Sequence, residues 1–98
     1  MKTFTELLNE VKSTELYFDT YSAAVEHALT TTRKQFDIDP EDVADIVGLK
    51  SRKPGRGKTT KVSIPLYKRD KLDRKQLHIQ VFNRDTDRNT YELNFYVR

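Results

Sequence analysis

An α+β fold is predicted, with three N-terminal helices packed on a C-terminal three-stranded antiparallel meander. Three observations lead there. Apolar residues recur at helical spacing as far as Gly48, they alternate at strand spacing from Val62 to Val97, and a basic loop poor in apolar side chains separates the two regions. The 98 residues suit one domain that buries a modest core without metal or disulfide help. A lone three-stranded sheet needs a cover, and the amphipathic helices supply it. Residues 1–98 are therefore read as a single domain, with a helical part at 3–48, a basic loop at 50–61 and a sheet at 62–98.

Each element has its own warrant. Thr3 followed by Glu6 makes a capping box, and Phe4, Leu7, Leu8 and Val11 fall on one helical face. After a link from Ser13 to Phe18, Asp19 or Thr20 can cap a second helix whose Tyr21, Val25, Ala28, Leu29, Thr32 and Phe36 share a face. Asp39 before Pro40 reads as a cap with proline at the first helical position, and Val43, Ile46 and Val47 form the stripe of a third helix before Gly48. The segment from Lys50 to Thr60 carries Lys or Arg at five of eleven positions. Three alternating runs follow: Val62, Ile64 and Leu66, then Leu77, Ile79 and Val81, then Tyr91, Leu93, Phe95 and Val97. The polar stretches Lys68 to Gln76 and Asn83 to Thr90 are short enough to connect them as hairpins.

Charge is strongly polarised along the chain. Residues 1–49 hold four Lys/Arg against ten Asp/Glu, net −6, whereas residues 50–98 hold fourteen against five, net +9. The basic half suits phosphate or an acidic protein surface, and the acidic half repels nucleic acid from its own side. The chain contains no cysteine, which excludes disulfides, thiolate zinc sites and a cysteine nucleophile. The charged start MKTFTELLNEV is read as neither a signal peptide nor an anchor, and no uncharged run is long enough for a bilayer, so no membrane partner is expected.

Two sets of residues form the candidate site. Lys50, Arg52, Lys53, Arg56, Lys58 and Lys61, bent by Pro54, Gly55 and Gly57, could bind phosphates or an acidic partner. On the strands, Tyr67, His78, Gln80, Phe82, Asn94 and Tyr96 alternate with the core set and make the second sheet face aromatic and polar. Such a face can stack nucleobases or form a protein interface. A third reading has Phe4, Leu16 or Phe18 folding over part of it. Exposed strands of this kind also make self-association an expectation.

Catalytic signals are few. Gly57, Lys58 and Thr59 imitate the end of a phosphate-binding loop, but Arg52 stands where its first glycine belongs, and a strand follows where a helix is needed. His27 falls off the apolar stripe and is expected at the surface, His78 lies on a strand, and neither has a partner at metal-ligand spacing. Asp70, Asp73 and Lys75 contain an Asp-x-Lys fragment placed in a turn. No catalytic residue, metal or cofactor is assigned, and the chain is read as a non-enzyme.

The opening MKTFTELL and the carboxyl segments RKPGRGKT, LHIQVFNR and YELNFYVR, in that order, resemble small proteins of tailed bacteriophages over a little more than half the chain. The resemblance implies a setting, the virion or the cytoplasm of the bacterial host, and larger virion subunits as partners. The expected function is a virion-associated structural or accessory protein docking through its sheet face and basic loop. A nucleic-acid-binding accessory protein and a phage inhibitor of a host protein are the alternatives.

Overall fold

The computed structural model describes residues 16–98. The expected first helix, with its Thr3 and Glu6 capping box, lies outside the described residues. Within them the chain runs β1 (Tyr17–Phe18), α1 (Tyr21–Thr32), α2 (Pro40–Val43) continuing as a π-helix over Ala44–Lys50, β2 (Thr59–Lys68), β3 (Lys71–Asn83) and β4 (Tyr91–Val97). The expectation of three helices on a three-stranded meander is corrected. The described chain has two short helices and a four-stranded antiparallel sheet ordered β1-β4-β3-β2. The fourth strand comes from the stretch read as a link, where Tyr17 pairs with Glu92 and Phe18 with Tyr91. Two residues show no period, so alternation could not reveal them.

Thr20 caps α1, accepting the Ala23 amide on its hydroxyl at 3.0 Å. Asp19, the other candidate cap, instead accepts the Asn89 amide at 2.7 Å and ties the β3–β4 connection to the start of the helix. The helix stops at Thr32, a turn short of Phe36, after three consecutive threonines whose branched side chains lose rotamer freedom in a helix. Asp39 caps α2 through the Glu41 amide at 2.9 Å, with Pro40 in the first turn. The third expected helix does not end at Gly48; its π-helical continuation reaches Lys50, and the Ser51 hydroxyl then donates back to the Val47 carbonyl at 2.6 Å.

β2 and β3 form one long hairpin closed by Arg69 and Asp70, whose φ values of 52° and 64° match the left-handed requirement of a type I′ turn. β3 therefore begins at Lys71, and Asp73 and Lys75, expected in a turn, lie inside the strand. While β2 steps from Pro65 to Tyr67, β3 steps from Gln76 to Leu72, so β3 carries a bulge. Asp73 shapes it by accepting the Lys75 amide on its own carboxylate at 2.8 Å, a local bond that competes with the ladder.

The core lies between this sheet and the helices. Ala24, Val25, Ala28 and Leu29 of α1 meet Ile64 and Leu66 of β2, Leu77, Ile79 and Val81 of β3, and Leu93 and Phe95 of β4. Val43, Ile46 and Val47 pack at its margin. Both helices thus cover the same face of the sheet, and the other face is left to the site.

Candidate functional site

Register orders the face that no described helix covers into cross-strand rows. Ser63, His78 and Tyr96 make one row, Lys61, Gln80 and Asn94 the next, and Thr59, Phe82, Glu92 and Tyr17 the third. Five of the six face residues read from the sequence, His78, Gln80, Phe82, Asn94 and Tyr96, come together here. Tyr67 does not join them. It lies past the bulge, four residues or roughly 13 Å along β2 from Ser63 at the usual strand rise, and its backbone exchanges two hydrogen bonds with Asp37 at 2.8 and 2.9 Å.

The rows have distinct chemistry. The His78 ring stacks on Tyr96 with centroids 5.1 Å apart, and its Nδ1 lies 2.8 Å from the Ser63 hydroxyl. Phe82 is 38% exposed and helps line a depression of about 260 Å³ with Thr59, Gln80, Glu92 and Asn94. At the corner the Arg84 guanidinium sits 4.5 Å from the Tyr17 ring centroid, a cation–π contact. Leu16 and Phe18, considered as covers, pack against the core instead, and Phe4 lies outside the described residues.

The basic loop is shorter than 50–61, because Lys50 closes the π-helix and Thr59 opens β2. Its backbone is fastened at several points. Ser51 shares a hydrogen bond with the Tyr21 hydroxyl at 3.0 Å, the Thr60 hydroxyl donates to the Arg52 carbonyl at 2.6 Å, and the Asn83 amide donates to the Pro54 carbonyl at 3.0 Å. Gly57, at φ 69°, makes the turn that returns its amide to the Asn83 carbonyl at 3.0 Å. Between this loop and β2 runs an open groove of about 540 Å³, whose lining includes Ile46, Lys50, Arg52, Lys53, Lys58, Lys61 and Val62.

The six predicted cations are not equivalent. Lys50 pairs with Asp45 at 3.0 Å, and Arg56, outside the groove lining, pairs with Asp85 at 3.3 Å. Arg52, Lys53, Lys58 and Lys61 have no ion pair among the described residues. The groove therefore concentrates positive charge that no ion pair among the described residues offsets.

Sequence reasoning missed Ser63, Thr59, Glu92, Tyr17 and Arg84, since strand alternation places residues on a face but does not give their neighbours. Asn83 did carry a signal. It continues the inward series of Leu77, Ile79 and Val81 as a polar residue, and it is only 7% exposed. His27, expected at the surface, is half-buried because β1 brings Phe18 to 5.2 Å from its ring, with Phe95 at 5.9 Å. Among the described residues no group of three His, Asp or Glu side chains is arranged to hold a metal ion. No described helix is long and apolar enough to cross a membrane. No protein-family model, curated protein or solved structure matches this chain.

Proposed function

We propose that this chain is a non-catalytic accessory protein of a tailed-phage particle, docking on a larger virion subunit through the open sheet face and the basic groove. The observation that carries this reading is that the two features are one surface. Lys61 belongs to both, standing beside Gln80 on the face and lining the groove. Aromatic and amide side chains with cations at the margin have the make-up of a protein contact, whose centre is rich in aromatics and poor in charge. Four cations with no ion pair among the described residues favour an acidic patch on the partner and speed its encounter. The particle setting comes from the resemblance of the opening and carboxyl segments to tailed-phage proteins. A mass-spectrometric inventory of intact purified particles tests it: the chain is expected in fixed ratio to a larger subunit, and its absence removes the reading.

The same four cations in a groove favour a nucleic-acid partner as the second reading. Its stacking platform is reduced, because Tyr96 already carries His78 on its ring and Tyr67 stands apart, leaving Phe82. Anisotropy titration of single- and double-stranded DNA at two salt concentrations separates the readings. Binding that falls steeply with salt and disappears in the triple variant Arg52→Gln, Lys53→Gln, Lys58→Gln supports nucleic acid, and no binding at low salt supports a protein.

A further inference from the structure

Among the described residues β2 is the last strand on its side of the sheet, and the direction of its backbone groups follows from the hydrogen bonds at its two ends. The Lys58 carbonyl, just before the strand, accepts the Asn83 amide at 2.9 Å, so it points inward to β3. Tyr67 exchanges both of its bonds with Asp37 on the other side, so its groups point outward. Backbone groups alternate along a strand, and both ends agree on the phase. Thr60, Val62 and Ile64 therefore face β3, while Thr59, Lys61 and Ser63 present amides and carbonyls to the outside. Pro65 is also an outward position, where a residue lacking an N–H removes no ladder bond.

No described residue takes up the outward groups of Thr59, Lys61 and Ser63 in a backbone hydrogen bond. The basic loop runs beside this edge without closing it. Thr60, which holds the Arg52 carbonyl, pairs with the buried Val81, so the attachment is on the helix side of the sheet. The free edge and the cationic groove are consequently the same place.

We propose that this edge is a strand-addition site for an extended acidic segment of the docking partner. The inference rests on the docking reading above and deepens it. Main-chain pairing with Thr59, Lys61 and Ser63 supplies the grip, and alternate side chains of the added strand supply the selection. On the helix side they meet Ile46 and Val62, which asks for apolar residues; on the open side they meet Lys61, which asks for carboxylates, and Arg52, Lys53 and Lys58 line the same groove. The recognised segment thus alternates acidic and apolar residues. A second copy of this chain is a poor occupant, because pairing β2 with β2 would bring two lysine-bearing edges and two basic loops together.

The test uses a labelled nine-residue peptide of alternating glutamate and valine, the same peptide N-methylated on every second amide in each of the two phases, and a single-stranded DNA of equal charge. The parent peptide is expected to bind and to slow hydrogen exchange at the Lys61 and Ser63 amides. One methylation phase, which removes the donors facing the edge, is expected to weaken binding by roughly ten-fold or more, since each lost backbone bond counts and several are lost together. Equal binding of all three peptides, or exchange unaltered at Lys61 and Ser63, overturns strand addition. Binding of the DNA without the parent peptide overturns it in favour of nucleic acid. The particle inventory is read independently, so a chain found in particles but indifferent to methylation keeps the docking reading and loses this one.

Discussion

The side-chain amide of Asn83 donates to the carbonyl oxygen of Pro54 at 3.0 Å, joining the end of β3 to the middle of the basic loop across 29 residues of sequence. Both residues are buried, and the other side of the Asn83 amide accepts the Asp85 N–H at 2.9 Å. Replacing Asn83 by alanine leaves the Pro54 carbonyl without its partner and is expected to cost about 1–3 kcal/mol in urea denaturation. The groove wall would loosen with it, so Asn83→Ala should also weaken acidic-peptide binding although it removes no charge.

Thr32 is fully buried, and its hydroxyl has no hydrogen-bond partner among the described residues. Valine has nearly the same shape without the polar atom. Thr32→Val is expected to stabilise the fold by about 1 kcal/mol, by removing the desolvation cost of an unsatisfied hydroxyl. A shift of the denaturation midpoint to higher urea at unchanged slope is the expected reading.

The hairpin turn sets two non-glycine residues, Arg69 and Asp70, at positive φ. The double change Arg69→Asn with Asp70→Gly supplies the residues a type I′ turn favours and should add about 1 kcal/mol, because left-handed backbone costs most side chains 1–2 kcal/mol. Thermal unfolding checks it. Little effect on binding is expected, since the turn lies beyond the bulge from the groove.

Ile79 and Phe82 lie on one strand and face opposite layers. Ile79 is 1% exposed and Phe82 38%. Ile79→Ala is expected to cost about 2–5 kcal/mol as a core truncation. Phe82→Ala should stay within about 0.5 kcal/mol of the parent in stability, as surface changes do, while weakening partner binding. A Phe82→Ala protein that denatures as early as Ile79→Ala would mean that this face is packed rather than open.

Much of the architecture was legible locally. Thr20 and Asp39 announce helix starts through their capping chemistry, and the inward series on β2, β3 and β4 reads directly from alternation. The errors share a physical origin in relations between segments. β1 is too short to show a period and exists because β4 has an edge for it. Arg69 and Asp70 lack the usual Asn-Gly signal of a two-residue turn, which hid the first six residues of β3 inside an assumed connection. Tyr67 keeps the parity of the face, next to the buried Leu66, but stands past the bulge of β3, at a distance along the strand that parity does not show. His27 looked exposed on its own helix and is half-buried only because Phe18 arrives from another strand. In the site, the cations were visible one by one, but the partners that neutralise Lys50 and Arg56 were not.

The proposed docking on a particle subunit runs through one continuous surface, the basic groove with the open sheet face. The most direct measurement is sedimentation of labelled chain with purified particles, comparing the parent with the fourfold variant Arg52→Gln, Lys53→Gln, Lys58→Gln, Lys61→Gln at equal foldedness by circular dichroism. The parent is expected to pellet with the particles at a saturating ratio and the variant to stay in the supernatant. A parent that does not pellet, or a variant that pellets equally well, would contradict it.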